Sequence, residues 1–159
     1  TPFMPKSIAA KNLLRGRIAK FIVRLLFERS GYQVLSFGGT GTAEYLQGLP
    51  INSRVPERIR FAPSYVVTGI EGRGPLLVEV RFIGREASGR NVESTMSRLG
   101  RLWPEAALVV VEASQPYFTA GLIAEFRRGS ELQDIEDFLT IKPEALREAR
   151  ALVREFLSR

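Results

Sequence analysis

The chain reads as an α/β domain in which helices cover both faces of a mixed central sheet. Three observations predict this: a long amphipathic segment opens the chain, strand-length apolar runs follow in two groups, and a stretch of helical periodicity separates the groups. A length of 159 residues suits one domain, spanning 1–159, with a core over about 7–113 and a C-terminal appendage over about 114–159. At this size a folded chain buries roughly two-thirds of its unfolded surface, enough for a core without covalent staples.

The first element is a helix from Ser7 to Ser30, where Leu14, Ile18, Phe21, Ile22 and Leu25 recur at helical spacing and Gly31 marks the stop. "YQVLSF" (32–37) is a strand with apolar residues on both faces, which predicts an inner position in the sheet. Residues 38–60 are rich in glycine, proline and small polar residues and read as an exposed excursion, a candidate flap. Strands are expected at about Ile59–Thr68 and Leu76–Phe82, joined by "GIEGRGP", whose glycines permit a hairpin turn. Val92, Met96, Leu99 and Trp103 mark a second helix that ends at the Trp103-Pro104 step. "AALVVVEA" (106–113) is a buried strand; "YFTAGLIAEF" (117–126) fits strand or helix by periodicity and is read as a strand, with Tyr117 and Phe118 expected in the core and base stacking as the alternative. A short helix near 131–138 and a longer one from Pro143 close the chain. The longer helix carries Leu146, Ala149, Val153 and Phe156 on one face, which packs on the sheet or forms a homodimer surface.

Composition narrows the chemistry. With no cysteine, thiol nucleophiles, thiolate zinc sites and disulfides are excluded, which suits a cytoplasmic protein. With no histidine, the Ser-His-Asp triad and imidazole ligands are excluded too. No apolar run reaches the roughly 20 residues of a membrane span, and no charged-then-apolar leader opens the chain, so no membrane partner is expected. The net charge of +6 comes almost wholly from arginine, and guanidinium suits bidentate phosphate recognition. Arginine-rich codon usage would produce the same excess. Arg17, Lys20 and Arg24 form one row on the first helix, and Arg98 and Arg101 another on the second; either could follow a nucleic-acid backbone or be a solvated face. "FGGTGTAEY" resembles a phosphate-cradling loop, but no Lys-Ser or Lys-Thr follows it, and a flexible loop is expected.

The stretch with most chemical content is "PLLVEVRF". Side chains alternate along a strand, so Glu79 and Arg81 share one face while Val78, Val80 and Phe82 share the other. A carboxylate in such a strand must be paired, coordinated or solvated, because burying it alone is costly. A structural Glu79–Arg81 pair on an exposed sheet face is the simplest account of the spacing.

The succession of elements resembles the PD-(D/E)XK nuclease superfamily over residues 7–113. "GRIAKFIVRLLFERSGYQV" looks like the family's first helix and strand, "APSYVV" like its Pro-Asp strand, "LLVEVRF" like its Glu-x-Lys strand, and "MSRLGRLWPEAALVVV" like its closing helix and strand. The resemblance implies a restriction-endonuclease-like three-layer core and a metal-dependent phosphodiesterase centre. It places Glu79 at the metal-binding glutamate, Arg81 at the catalytic lysine, Ser64 at the metal-binding aspartate and Lys20 near the helix glutamate. Three of these four positions depart from the motif.

Magnesium prefers oxygen ligands, with carboxylates offsetting its charge. A serine hydroxyl is a poor substitute, and Lys20 and Arg81 beside a single Glu79 would repel the ion and attract phosphate. The only aspartates, Asp134 and Asp137, lie in the C-terminal region. Arginine holds its proton too firmly to act as a base. The expected function is therefore nucleic-acid binding, DNA first, by a nuclease-like domain with an impaired metal site. One alternative is an active endonuclease in which magnesium is held by Glu79 with Glu44, Glu57 or Glu71. The other is a scaffold or assembly subunit without hydrolase activity.

Overall fold

A computed structural model describes residues 6–38, 57–84, 90–127, 129 and 131–158. In chain order the elements are α1 (Lys6–Arg29), β1 (Gln33–Ser36), α2 (Glu57–Arg60), β2 (Tyr65–Thr68), β3 (Leu76–Ile83) and α3 (Arg90–Leu102), followed by β4 (Ala107–Glu112), β5 (Phe118–Leu122), α4 (Ile123–Arg127), β6 (Gln133–Asp134), α5 (Ile135–Phe138) and α6 (Pro143–Phe156). The six strands form one sheet in sequence order, antiparallel throughout except for the parallel pair β3–β4. Two parallel neighbours need a crossover, and α3 provides it. The α/β prediction with a mixed, helix-covered sheet is met.

Strand alternation assigns the two faces. Val78 and Val80 of β3 and Val109 and Val111 of β4 join Ala19, Val23 and Phe27 of α1 and Ala149 and Val153 of α6 in the larger core. Leu108 and Val110 pack on the other face with Met96 and Leu99 of α3 and Ile123 of α4. β4 therefore carries apolar residues on both sides, as a strand enclosed between two helical layers requires.

Several elements differ from expectation, each for a local reason. In α1 the buried set is Ala19, Ile22, Val23, Leu26 and Phe27, whereas Leu14 and Phe21, expected in the stripe, are exposed. The segment "FIVRLLF" is apolar around most of the helix, so periodicity offered more than one face. β1 is an edge strand, with Val34 buried and Leu35 and Phe37 exposed, because β3 takes the inner side of β2.

The strand expected from about Ile59 starts only at Tyr65, as β2; Glu57–Arg60 form a helical turn, in which Glu57 accepts from Arg101 of α3 and the Arg58 carbonyl accepts from Trp103 just beyond it. Residues 117–126 divide into β5 and α4. The expected helix near 131–138 begins with strand β6, which pairs with β5. The C-terminal segment thus supplies two strands of the main sheet, and α6 packs beside α1, with Arg29 3.3 Å from Glu148. Phe156 is exposed rather than on the packed face of α6. The proposed flap, including Glu44, lies mostly outside the described residues.

The hairpin turn between β2 and β3 uses Gly69 and Gly72 at positive φ (89° and 77°), a region that favours glycine. No helix among the described residues is long and apolar enough to cross a membrane.

A candidate anion-binding site between β3 and α3

The β2–β3 register pairs Tyr65 with Val78, so Ser64, one step before β2, faces Glu79 across the strands. Ser64 is held there by its own backbone: its carbonyl accepts a hydrogen bond from the Phe37 N–H at 3.0 Å, and the Pro63 carbonyl accepts one from Gly38 at 2.7 Å. Gly38 permits this approach, since a Cβ there would lie 2.4 Å from the Ala62 carbonyl oxygen.

The Ser64 hydroxyl donates to Oε1 of Glu79 at 2.5 Å, and the Val80 N–H donates to the same oxygen at 3.0 Å. Glu79 is only 6% exposed and Ser64 1%, so this carboxylate is buried, with its Oε1 held by two local donors. Among the described residues no ion pair joins it to Arg81. The simple surface pair suggested by the spacing is not what forms.

Arg81 projects on the same face, two residues on, beside α3. Its Nε is buried with no hydrogen-bond partner. Arg98 of α3 stands next to it, its guanidinium over the Phe61 ring at 4.3 Å. Burial first, and then the charge of Arg81, push the pKa of Arg98 below the usual arginine value, with Glu79 and Glu57 opposing.

Arg81 and Arg98 line a cavity of about 380 Å³ together with Ile83 of β3 and Val92, Ser94 and Thr95 of α3. It is lined by the C-terminal end of β3 and by the crossover helix α3, a usual place for ligands in α/β sheets.

The other arginines give a contrast. Arg24 donates to Glu28 at 2.7 Å, Arg58 to Glu105 at 3.1 Å and Arg101 to both oxygens of Glu57 at 3.0 and 2.8 Å. Arg29 and Arg150 also lie against carboxylates. The two arginines of the cavity have no such partner among the described residues. A half-buried cation left without an anion is the arrangement expected where a ligand supplies it.

The residues named from the sequence therefore divide. Ser64, Glu79 and Arg81 come together, and Arg98 joins them from α3. Lys20 does not: α1 packs on the Val78 and Val80 face, and the Lys20 carbonyl accepts a hydrogen bond from the Tyr65 hydroxyl at 3.0 Å. Arg24 is engaged by Glu28 and by the β1 residues Ser36 and Val34, and Arg17 is exposed. Arg101 is committed to Glu57, whose carboxyl that hydrogen bond holds below the usual range.

Thr95, Ser94 and Phe61 were not named from the sequence. The 95/98 spacing on α3 put Thr95 on the Arg98 face, but only the crossover brings that face to Arg81.

Magnesium does not fit these donors. Glu79 is the one carboxylate at the site among the described residues, one of its oxygens already accepts two hydrogen bonds, and two guanidiniums stand beside it. No group of three carboxylates able to hold an ion occurs among the described residues. Glu57 is occupied by Arg101, and Glu71 lies in the exposed hairpin turn. Comparison with known proteins finds no match: no family model, no curated protein and no solved structure is similar enough to this chain to place it.

Proposed function

We propose that the protein binds nucleic acid, DNA in the first instance, through a phosphate held between β3 and α3, on a restriction-endonuclease-like domain whose metal centre has been replaced by a cationic one. The observation that carries this reading is the pair Arg81 and Arg98, half-buried in one cavity with no ion-pair partner among the described residues. Guanidinium offers paired N–H donors matched to phosphate oxygens, and the Phe61 ring against Arg98 limits its freedom before any ligand arrives.

The fold supports the same reading. A long helix, a three-stranded antiparallel meander, a crossover helix and a parallel fourth strand follow one another as the resemblance implies. Glu79 is then a positioning residue. Its Oε1 accepts hydrogen bonds from the Ser64 hydroxyl and the Val80 N–H, and its charge favours the protonated state of Arg98.

The test is fluorescence anisotropy with a labelled duplex and a labelled single strand across a salt series. Affinity should fall steeply between about 50 and 200 mM salt, and the Arg81→Ala, Arg98→Ala double variant should lower the slope of log K against log salt by roughly 1 to 2. Absence of binding at the lowest salt would sink the proposal. In parallel, plasmid incubated with magnesium or manganese should remain uncut. Nicking that disappears in Glu79→Ala would instead favour an active endonuclease.

A further inference from the structure

The structure assigns the cavity at the end of β3 to a phosphomonoester dianion, so that the protein holds nucleic acid by a phosphorylated strand end. This rests on the nucleic-acid reading above and names the part of the polymer that the site takes.

The first argument is charge. Two guanidiniums, Arg81 and Arg98, line the cavity, while the Glu79 carboxylate is turned to Ser64 and the Val80 N–H. A phosphodiester inside a strand brings one negative charge, whereas a terminal phosphate carries roughly 1.5 to 2 near neutral pH and three acceptor oxygens. A terminal group offers the two cations more negative charge and one more acceptor oxygen than an internal one does.

The second argument is shape. Ile83 and Val92 contribute apolar wall, and Ser94 and Thr95 bring hydroxyls to the same space. Arg81 is anchored on β3 and Arg98 on α3, so the cationic walls belong to two rigid elements rather than to one exposed helix face. The cavity is partly open to solvent, so a strand end can enter it with its terminal phosphate between the two arginines. Its volume of about 380 Å³ falls in the range of small-ligand pockets and leaves room for the terminal sugar beside the phosphate.

The third argument is donor geometry. The Phe61 ring covers one face of the Arg98 guanidinium at 4.3 Å, leaving its N–H edges to donate in the plane. The Ser94 and Thr95 hydroxyls add neutral donors that a phosphate oxygen can use.

The test uses the full chain and oligonucleotides of one sequence that carry a 5′-phosphate, a 3′-phosphate or hydroxyls at both ends, with inorganic phosphate and a nucleoside monophosphate as competitors. A phosphorylated end should bind about tenfold or more tightly than the hydroxyl form. Arg98→Gln and Arg81→Gln should each abolish that preference, Arg98→Lys should retain part of it, and circular dichroism should show that the variants keep the fold. Inorganic phosphate should compete and raise the melting temperature of the parent but not of Arg98→Gln.

Equal affinity for phosphorylated and hydroxyl ends would overturn this inference while leaving nucleic-acid binding intact. Binding of inorganic phosphate or the monophosphate with no binding of any oligonucleotide would uphold the dianion site and sink the nucleic-acid reading, and with it the strand-end part of this inference. No effect of any of these probes would sink both.

Discussion

Ser64→Asp tests the central chemical claim, because it returns a second carboxylate to the position opposite Glu79. In the parent the Ser64 hydroxyl lies 2.5 Å from Glu79 Oε1, and both residues are buried. The substitution removes a hydrogen bond to a charged acceptor, worth about 1.5–3 kcal/mol. It also sets two carboxylates face to face; at about 4 Å and an effective dielectric near 20 their repulsion is on the order of 4 kcal/mol.

The guanidiniums of Arg81 and Arg98 offset part of that cost, so a net loss of about 3 kcal/mol is expected. For a domain of this size that corresponds to a melting temperature roughly 6–12 °C below the parent. Two carboxylates with retained water are enough for a magnesium or manganese site. Differential scanning fluorimetry with millimolar manganese should therefore raise the melting temperature of the variant and leave the parent unchanged. Ser64→Ala, which loses the bond without adding charge, should be destabilised and metal-insensitive. A parent that is itself stabilised by manganese, or a variant as stable as the parent without metal, would refute the reasoning.

Three further outcomes follow from the geometry. Phe27 is fully buried against the sheet, so Phe27→Ala should cost about 3–5 kcal/mol in urea unfolding, whereas Phe21→Ala, on the exposed side of the same helix, should leave the midpoint nearly unchanged. Gly38→Ala sets a Cβ 2.4 Å from the Ala62 carbonyl oxygen and 2.7 Å from that of Pro63. It should destabilise the protein and weaken nucleic-acid binding together, since the same backbone seats Ser64. The Glu57 carboxyl titrates below its ordinary value of 4.5 because Arg101 donates to it. A depressed folded-state pKa contributes stability that is present above the unfolded value and is lost as pH falls through the folded one, so acid titration of Arg101→Ala should lack that component.

The elements legible in the sequence are those whose pattern has a single solution. The β3 alternation placed Glu79 and Arg81 on one face, and β4, apolar from Ala107 to Val111, was readable as a strand covered on both sides. Gly69 and Gly72 announced the turn between β2 and β3 because their backbone angles suit little else. The crossover helix was marked by Val92, Met96 and Leu99, and the C-terminal helix by Leu146, Ala149 and Val153. Each of these stripes has one apolar side and one charged side.

The remainder depended on contacts between distant segments. Which apolar side of α1 is buried, whether residues 57–60 turn or extend, and whether 131–138 begins as strand were decided by neighbours far along the chain. Lys20 could be assigned to a site only by counting along α1, and the packing of α1 on the Val78 face sends it elsewhere.

By itself the amino-acid sequence determined that the described chain offers neither thiol nor imidazole chemistry, that its excess charge is guanidinium, and that one carboxylate and one arginine share a face of one strand. These follow from residue identity and from the two-residue repeat of an extended backbone, which no distant contact can change. Only the tertiary structure decided that the carboxylate accepts a hydrogen bond from Ser64, and that Arg98 comes round on the crossover helix to stand beside Arg81. The reason is that hydrogen bonds and charge pairs form across space, so the partner of each group is set by which strands and helices become neighbours.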